Sequence, residues 1–395
     1  MVLRSFSSST VETLERALAA YFGRRFCRLT NRGTTALTAA LRSLELPPAS
    51  PVVFPAAMCS IPVLSASFAG LEPVFADVSL TDGNFDLESL EALLGKTPGP
   101  GAVIPIHMFG KPEAWDALEA LCGRRGWTLI EDCALSMGAS YRGRRVGGFG
   151  RLSCLSFVRK MVPLEMGGAV LTDDPVLFGR VVDYVARLPV ERPSESDVSR
   201  VMREFHRVTA EAARGGWAST GFLDSYREPF RQRLLTGTTE ADWEHSILLK
   251  ELERLEENLR ARQARAEVYE GVLSQGQMVP LDRTGSSLFA FPVRLKEVAA
   301  EDFLRFAEGK GLSFKRIAYP DIHKIFDGGR RQADGAFRNA GVLEREVVGM
   351  PVDEAQPVSS YWGYAQSFVD AFREYLAAGR PRADVTGELE MRMSR

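Results

Sequence analysis

The stretch Thr128-Leu-Ile-Glu131-Asp132-Cys-Ala134 decides the fold prediction. An apolar run of this length indicates a buried strand, and two carboxylates stand where the strand would end. A carboxylate fixed at a strand end could hold a proton on a pyridine nitrogen. It could equally cap the next turn, and this segment alone leaves both alternatives open.

Outward from this stretch, short apolar runs alternate with helical patterns between Thr30 and Thr172. The pattern predicts strands at Val52–Phe54, Val74–Asp77, Val103–Ile106, Thr128–Glu131, Leu152–Phe157 and Ala169–Thr172, and helices at Thr34–Leu44, Leu87–Leu94 and Glu113–Arg125. Alternation of this kind predicts an α/β fold, with a largely parallel sheet covered on both faces. Ligands of such sheets bind beyond the carboxyl ends of the strands.

The sequence pattern of the second half of the chain predicts a long helix and a second, smaller domain. Leucines at helical spacing indicate one long helix that connects two domains. We predict a large domain over residues 1–242, the connecting helix over 243–276, a smaller α+β domain over 277–380 and a tail over 381–395 that lacks an apolar period. Within the large domain, Ala186–Asp242 is irregular and is predicted as a helix followed by a long loop.

Two further segments could carry chemistry. Gly33-Thr34-Thr35 opens a predicted helix, where free N–H groups could bind a phosphate, although a plain helix cap is the commoner explanation. Leu155-Ser156-Phe-Val-Arg-Lys160 is a predicted strand that runs out into the only lysine between Lys111 and Lys250. A lysine amine can deprotonate and form a Schiff base, but a surface lysine would look the same in this segment.

Composition limits the possible partners. With a net charge of −2, the chain offers no global attraction to nucleic acid or to an anionic membrane. Its five cysteines form no Cys-x-x-Cys motif and its four histidines are scattered, so we expect reduced thiols and no metal site. Neither a leader nor an apolar run near the ~20 residues of a membrane helix is visible, and we expect a cytoplasmic protein.

Several common catalytic frameworks are absent from the sequence. A Gly-x-Gly-x-x-Gly motif does not follow the first strand, and neither a phosphate-binding Gly-x-x-x-x-Gly-Lys motif nor a Gly-x-Ser-x-Gly elbow occurs.

Taken in order, the segments resemble the DegT–DnrJ–StrS family of sugar aminotransferases from about Thr10 to Ala378. The resemblance is carried by Gly33-Thr34-Thr-Ala-Leu, Val52-Val-Phe-Pro55, Glu72-Pro-Val-Phe-Ala-Asp77, Ile104-Pro-Ile-His107-Met-Phe-Gly110, Ile130-Glu131-Asp132-Cys-Ala134, Ser156-Phe157, Gly167-Gly168 and Met350-Pro351-Val352. It implies the aspartate-aminotransferase fold (fold type I) and pyridoxal 5′-phosphate (PLP) as the cofactor. It also implies a homodimer with PLP at the subunit boundary.

The resemblance also implies roles for individual residues. Lys160 would bind PLP covalently and move the proton of the amino transfer, and Asp132 would pair with the pyridine nitrogen. Backbone at Gly33 and Thr34, together with the Ser156 hydroxyl, would hold the phosphate. An amino acid, usually glutamate or glutamine in this family, would donate the amino group to a keto sugar or a related cyclic ketone.

The sequence departs from the family at several of these positions. Cys59 replaces an aromatic residue that stacks on the cofactor, Leu135 replaces a Gln or His that contacts it, and Arg32 stands where Ser is frequent. Lys160 falls three residues after Phe157 instead of four, which a one-residue deletion would explain. The other alignment places Met161 at the lysine position and leaves no Schiff-base residue.

Three functions therefore remain open from the sequence. The first is a PLP-dependent aminotransferase. The second is a PLP enzyme with a different reaction, such as an elimination. The third is a relative without catalysis that binds a ligand or a partner through the inherited pocket.

Overall fold

The computed structural model describes residues 11–157, 167–190, 234–237, 244–312, 337–352 and 357–379, and the single residues Arg200, Arg203 and Arg231. The predicted tail, Lys160 and most of the irregular stretch at Ala186–Asp242 lie outside this part of the chain. In the described part, no helix is long and apolar enough to cross a membrane.

A seven-stranded sheet organises the first half of the chain, in the order β1-β9-β8-β5-β4-β2-β3. The strands are β1 (Phe26–Thr30), β2 (Pro51–Pro55), β3 (Glu72–Ala76), β4 (Ala102–Val103), β5 (Thr128–Asp132), β8 (Leu152–Ser156) and β9 (Gly168–Thr172), and a separate pair is formed by β6 (Ser140–Tyr141) and β7 (Arg144–Arg145). The pairings from β3 through β2, β4 and β5 to β8 are parallel, whereas β9 pairs antiparallel with both β8 and β1. The predicted mainly parallel sheet is confirmed.

Helices flank this sheet, because successive strand residues feed two different hydrophobic cores. Val52 and Phe54 pack into one core, whereas Val53 between them packs into the other. The helices are α1 (Val11–Phe22), α2 (Gly33–Ser43), α3 (Ile61–Ala69), α4 (Leu87–Lys96), α5 (Trp115–Arg124) and α6 (Pro175–Ala186). The first core contains α2, and the second contains the apolar faces of α4 and α5. A sheet buried on both sides explains the near-continuous apolar strands of the sequence.

The second half of the chain carries a smaller sheet. Its three antiparallel strands are β10 (Met278–Pro280), β11 (Phe291–Leu295) and β12 (Val347–Met350). Around it lie α7 (Glu244–Leu273), α8 (Ala300–Glu308), α9 (Arg338–Glu346) and α10 (Val358–Ala377). Residues of α7, α8 and α10 share a third core with this sheet, whereas Ala340 and Leu343 of α9 pack into the first core. The 30-residue α7 corresponds to the long helix expected from the leucine spacing.

The contacts that join the small sheet's elements to the large-sheet half of the chain include two sets of hydrogen bonds. Asp77, directly after β3, accepts hydrogen bonds from the backbone N–H groups of Asn339 and Ala340 at the start of α9 (3.0 and 2.9 Å). Ser287 donates its backbone N–H to the Gly110 carbonyl (3.1 Å) and its hydroxyl to the Leu135 carbonyl (3.1 Å). The second set lies beside the cavity described next.

Candidate active site

A cavity of about 310 Å³ opens at the carboxyl ends of the parallel strands. Its wall includes every predicted site residue that the structure describes, namely Gly33, Thr34, Cys59, Asp132, Leu135 and Ser156. These residues come from segments that follow β1, β2 and β5 and from the end of β8. The position agrees with the general rule for ligand sites of open α/β sheets.

One end of the cavity is formed by the beginning of α2. Arg32 is the N-cap with extended backbone (φ −155°, ψ 159°) and makes no side-chain capping bond to the helix. A methyl group on Gly33 would lie 2.7 Å from Ser156 Cβ and 3.1 Å from Ser156 Oγ, so only glycine fits here. The absence of a side chain thus lets the helix N-terminus and a serine hydroxyl meet at one point. Free N–H groups at a helix N-terminus favour an anion, and the helix dipole acts in the same direction.

The glycine pair Gly167-Gly168 packs against the backbone of Arg32 at the beginning of α2. Gly167 forms a bridge with Arg32 and donates its N–H to the Asn31 carbonyl (2.6 Å). A Cβ on Gly168 would lie 2.6 Å from the Arg32 carbonyl carbon, and Gly167 has a positive φ of 111°. The pair therefore allows the backbone of β9 to approach the turn before α2 closely.

Asp132 lines the cavity at the end of β5 and is 6% exposed. Its Oδ1 accepts the backbone N–H of Ala134 (2.9 Å), which is the turn-capping contact considered from the sequence. The side chain therefore caps the turn and also lines the cavity, so the capping role does not exclude a role toward a ligand. Its own N–H is bonded to the Pro105 carbonyl (2.9 Å), which ties it to the neighbouring strand end.

The preceding residue, Glu131, faces the opposite side of the sheet and is fully buried. Oε1 accepts the N–H of Gly147 (2.7 Å), and Oε2 accepts the N–H groups of Phe149 (3.1 Å) and Gly150 (3.3 Å) and the Ser153 hydroxyl (2.7 Å). Burial raises the pKa of Glu131, but His107, the Gly147 N–H and the Ser153 hydroxyl outweigh it and bring the pKa below the ordinary 4.5. Glu131 is therefore a charged carboxylate inside the protein.

His107 stands beside Glu131 and is also fully buried. Its Nδ1 accepts the N–H of Glu113 (3.1 Å), which places the ring proton on Nε2. Nε2 lies 3.3 Å from Glu131 Oε1, although the contact is poorly aligned for a hydrogen bond. The backbone of His107 is left-handed (φ 50°), a conformation that surrounding contacts must hold in place.

The rest of the cavity wall is mainly apolar. Cys59, Leu135 and Met58 all line it, as does Arg32, so the three residues that depart from the pattern of the resembled family lie in the cavity wall. Met58 was not singled out in the sequence, because a methionine after a strand indicates only core packing. In the described residues none of the five cysteines forms a disulfide, and Cys59 is the one that is not fully buried.

Lys160 lies outside the described residues, so its predicted role stays a prediction. The nearest described residues on either side are Phe157 and Gly167, and the Phe157 N–H donates to the Gly167 carbonyl (3.0 Å). The chain therefore leaves and returns at one place, next to Ser156.

Residues more than 190 positions further along the chain contact the beginning of α2, and the sequence pattern did not predict that contact. Leu234 lines the cavity, and its carbonyl lies 3.0 Å from Thr35 Oγ1. Asn31 donates to the hydroxyl of Thr236, and accepts from Thr35 Oγ1 (2.6 Å). The stretch around Leu235 offered no motif, so only the folded chain reveals its contribution.

A family model matches the half of the chain that contains the large sheet. The model for the DegT/DnrJ/EryC1/StrS aminotransferase family matches residues 4–192. The match covers slightly less than half of this chain.

Curated relatives match the same half of the chain. GDP-perosamine synthase of Caulobacter vibrioides is 32% identical over 168 residues, which are 42% of this chain and 45% of the relative. UDP-2-acetamido-2-deoxy-3-oxo-D-glucuronate aminotransferase of Pseudomonas aeruginosa is 33% identical over 170 residues, or 42% of this chain and 46% of the relative. The chain thus matches slightly less than half the length of these relatives.

Solved structures extend the likeness to nearly the whole fold. The sugar aminotransferase Spr1654 of Streptococcus pneumoniae, described as putative and solved in its PMP form, has a TM-score of 0.76 and 16% identity over 95% of this chain and 93% of its own. A 3-amino-5-hydroxybenzoic acid synthase has a TM-score of 0.72 and 21% identity over 92% of this chain and 91% of its own. The expected fold type I is confirmed.

Proposed function

We propose that this chain is a PLP-dependent aminotransferase. It would transfer an amino group from an amino acid, glutamate or glutamine, to a keto sugar or a related cyclic ketone. The observation that carries the proposal is the cavity, whose wall joins the Gly33–Ser156 contact with Asp132. The curated relatives named above act on nucleotide-linked sugars, which supports a keto sugar as the acceptor.

The described residues fit PLP at both of its polar ends. The N–H groups that begin α2 and the Ser156 hydroxyl would hold the phosphate, since the closeness of Gly33 to Ser156 presents both to one anion. Asp132 would accept a hydrogen bond from the protonated pyridine nitrogen, because its carboxylate is mostly buried yet lines the cavity. When bound, PLP supplies the electron sink of the reaction, and this protonated nitrogen strengthens it.

Lys160 would hold the cofactor's aldehyde end and move the proton of the amino transfer. Phe157 and Gly167, which flank the nine residues that contain Lys160, are hydrogen-bonded to each other next to Ser156, which supports a lysine near the cavity. A lysine amine suits this role because it can lose its proton and act as a nucleophile and a base.

We further propose a cytoplasmic homodimer with the cavity near the subunit boundary, as the family resemblance implies. The large domain would cover residues 1–242, and the small domain residues 277–380. Analytical ultracentrifugation of the purified protein checks the dimer directly. A monomer at micromolar concentration would contradict it.

The central experiment is an absorbance titration of the purified protein with PLP. We expect a near-ultraviolet to visible band of lysine-bound cofactor that disappears on addition of glutamate or glutamine. Lys160→Ala should abolish the band, and Lys250→Ala, a change in α7, serves as the matched control. No band in the wild type, or an unchanged band in Lys160→Ala, would contradict the proposal.

A second candidate follows from two of the departures in the cavity wall. Cys59 and Leu135 both line the cavity and remove an aromatic and a polar contact, which would suit an elimination or a ligand-binding protein without catalysis. Mass spectrometry separates these from transamination. Tight PLP binding without any exchange between amino and oxo acids, across many donors, would favour the second candidate.

A further inference from the structure

The buried cluster behind Asp132 connects three neighbouring strand ends. In the sheet, β5 lies between β4 and β8. Glu131 is on β5, Ser153 is on β8, and His107 follows β4 by four residues. Because both partners contact the carboxylate of Glu131, one side chain joins the three strands on the face that is turned away from the cavity.

The same three strand ends carry the cavity residues on the other face. Asp132 follows Glu131 directly, and Ser156 is three residues after Ser153. Ile106, the residue before His107, also lines the cavity. Any displacement of these strands against one another would therefore change the spacing between Asp132 and Ser156.

We propose that Glu131 is a positioning residue, which holds Asp132 and Ser156 at the spacing that the two polar ends of PLP require. This inference rests on the proposed function of the cavity. Glu131 itself does not line the cavity, so it acts through Asp132 and not on a ligand. Arg24 extends the support, since its Nη2 donates to Ser153 Oγ (3.0 Å) and its Nη1 pairs with Asp173 (2.8 Å).

A metal centre is the alternative explanation of this cluster. His107, Glu131 and Cys133 each place one potential ligand atom within 4.8 Å of the others. However, both Glu131 oxygens already accept hydrogen bonds, and His107 Nδ1 accepts the Glu113 N–H. Burial also raises the pKa of the Cys133 thiol well above 9.0, which disfavours the thiolate that would bind a metal. The contacts fit a closed hydrogen-bonded support.

The test compares Glu131→Gln with Asp77→Asn. Asp77 is a suitable control because it is buried, accepts three backbone N–H groups and does not line the cavity. Both variants should lower the melting temperature. We expect Glu131→Gln alone to weaken PLP binding by about 10-fold or more, because small displacements of a binding group are costly.

A second readout separates positioning from general loss of stability. The pH at which bound PLP changes its absorbance should shift in Glu131→Gln and remain at the wild-type value in Asp77→Asn. Ser153→Ala, which removes one hydrogen bond to Glu131, should weaken PLP binding by about 3-fold and provides the test if Glu131→Gln does not fold.

The outcomes are distinct. If the folded variant of Glu131 or Ser153 binds PLP with wild-type affinity and wild-type pH response, the positioning role is wrong. If Asp77→Asn shows the same changes, the effect belongs to stability and the positioning role is again wrong. If the wild type itself binds no PLP, the proposed function fails instead.

Discussion

Glu131 and Asp132 are adjacent carboxylates at the end of one strand, yet their surroundings differ completely. Glu131 is 0% exposed and accepts four hydrogen bonds from backbone and serine donors. Asp132 is 6% exposed, caps one turn and lines the cavity. The period of two in a strand sends the two side chains to opposite faces.

The difference shows how one strand can place a carboxylate that stabilises the fold next to a carboxylate that is available to a ligand. A buried carboxylate that is surrounded by donors is satisfied and offers no site to a ligand. A carboxylate on a cavity wall keeps a direction in which it can bind. The same residue class thus stabilises the protein on one face of the sheet and serves the cavity on the other.

The largest expected effect comes from Glu131→Gln, which should lower the free energy of unfolding by about 3–5 kcal/mol. An amide would place N–H groups against donors that now meet a carboxylate. The pKa of Glu131 is below 4.5 in the folded protein, so its stabilisation is present above the unfolded pKa and is lost as pH falls through the folded one. The difference in unfolding free energy between the two proteins, measured with urea between pH 7 and pH 3, should therefore become smaller as the pH falls. A constant difference at all pH values would show that the charge is not responsible.

Asp132→Asn should have the next largest effect, and on a different property. We expect the amino-transfer half-reaction to slow by at least about 100-fold, because an amide cannot stabilise a protonated pyridine nitrogen. Stability should change little compared with Glu131→Gln. Stopped-flow absorbance with glutamate measures the rate, and urea unfolding measures the stability. Equal rates in wild type and variant would remove Asp132 from the proposed site.

Glu113 is another buried carboxylate, but its pKa is raised, whereas the pKa of Glu131 is lowered. Burial and the nearby charge of Asp82 raise the pKa of Glu113 to about 8, although the Phe85 N–H and Lys111 act in the opposite direction. The folded protein then holds a proton that the unfolded chain loses above about 4.5, so stability falls as pH rises from 4.5 to 8. Glu113→Gln should remove this decline and raise stability at pH 9 by about 2 kcal/mol relative to the wild type. An identical pH profile in both proteins would contradict the raised pKa.

Much of the fold could be predicted from the sequence, because apolar strands in a covered parallel sheet are visible as runs. The strand Phe26-Cys-Arg-Leu-Thr30 was missed, since its partner β9 lies more than a hundred residues away and the segment contains Arg28. The predicted strand Val103–Ile106 is reduced to β4 at Ala102–Val103, and Pro105 cannot donate a ladder hydrogen bond. The predicted domain bounds stay a prediction.

The candidate site divides in the same way. Local motifs and strand ends point to Gly33, Thr34, Asp132 and Ser156, and all four line the cavity. The role of Glu131 was not found, because its partners His107, Gly147 and Ser153 come from separate segments of the chain. Leu234 was missed for the same reason. Long-range partners decide which of two neighbouring carboxylates is structural, and a single sequence does not show them.

The smallest effect we predict concerns the glycine that brings the helix and the serine together. Gly33→Ala should cost about 1–2 kcal/mol of stability, because its methyl group would lie 2.7 Å from Ser156 Cβ. Gly179→Ala in α6 is the matched control, since no neighbouring atom lies within 4 Å of the added methyl group, and it should be neutral or slightly stabilising. Gly33→Ala should also weaken PLP binding, whereas Gly179→Ala should not.

The double variant Gly33→Ala/Ser156→Gly removes the clash and should regain stability without regaining PLP affinity, because the hydroxyl is lost with it. Calorimetry and PLP titration of the three variants measure both properties. Recovery of affinity together with stability would show that Ser156 contributes shape to the cavity and not a hydrogen bond.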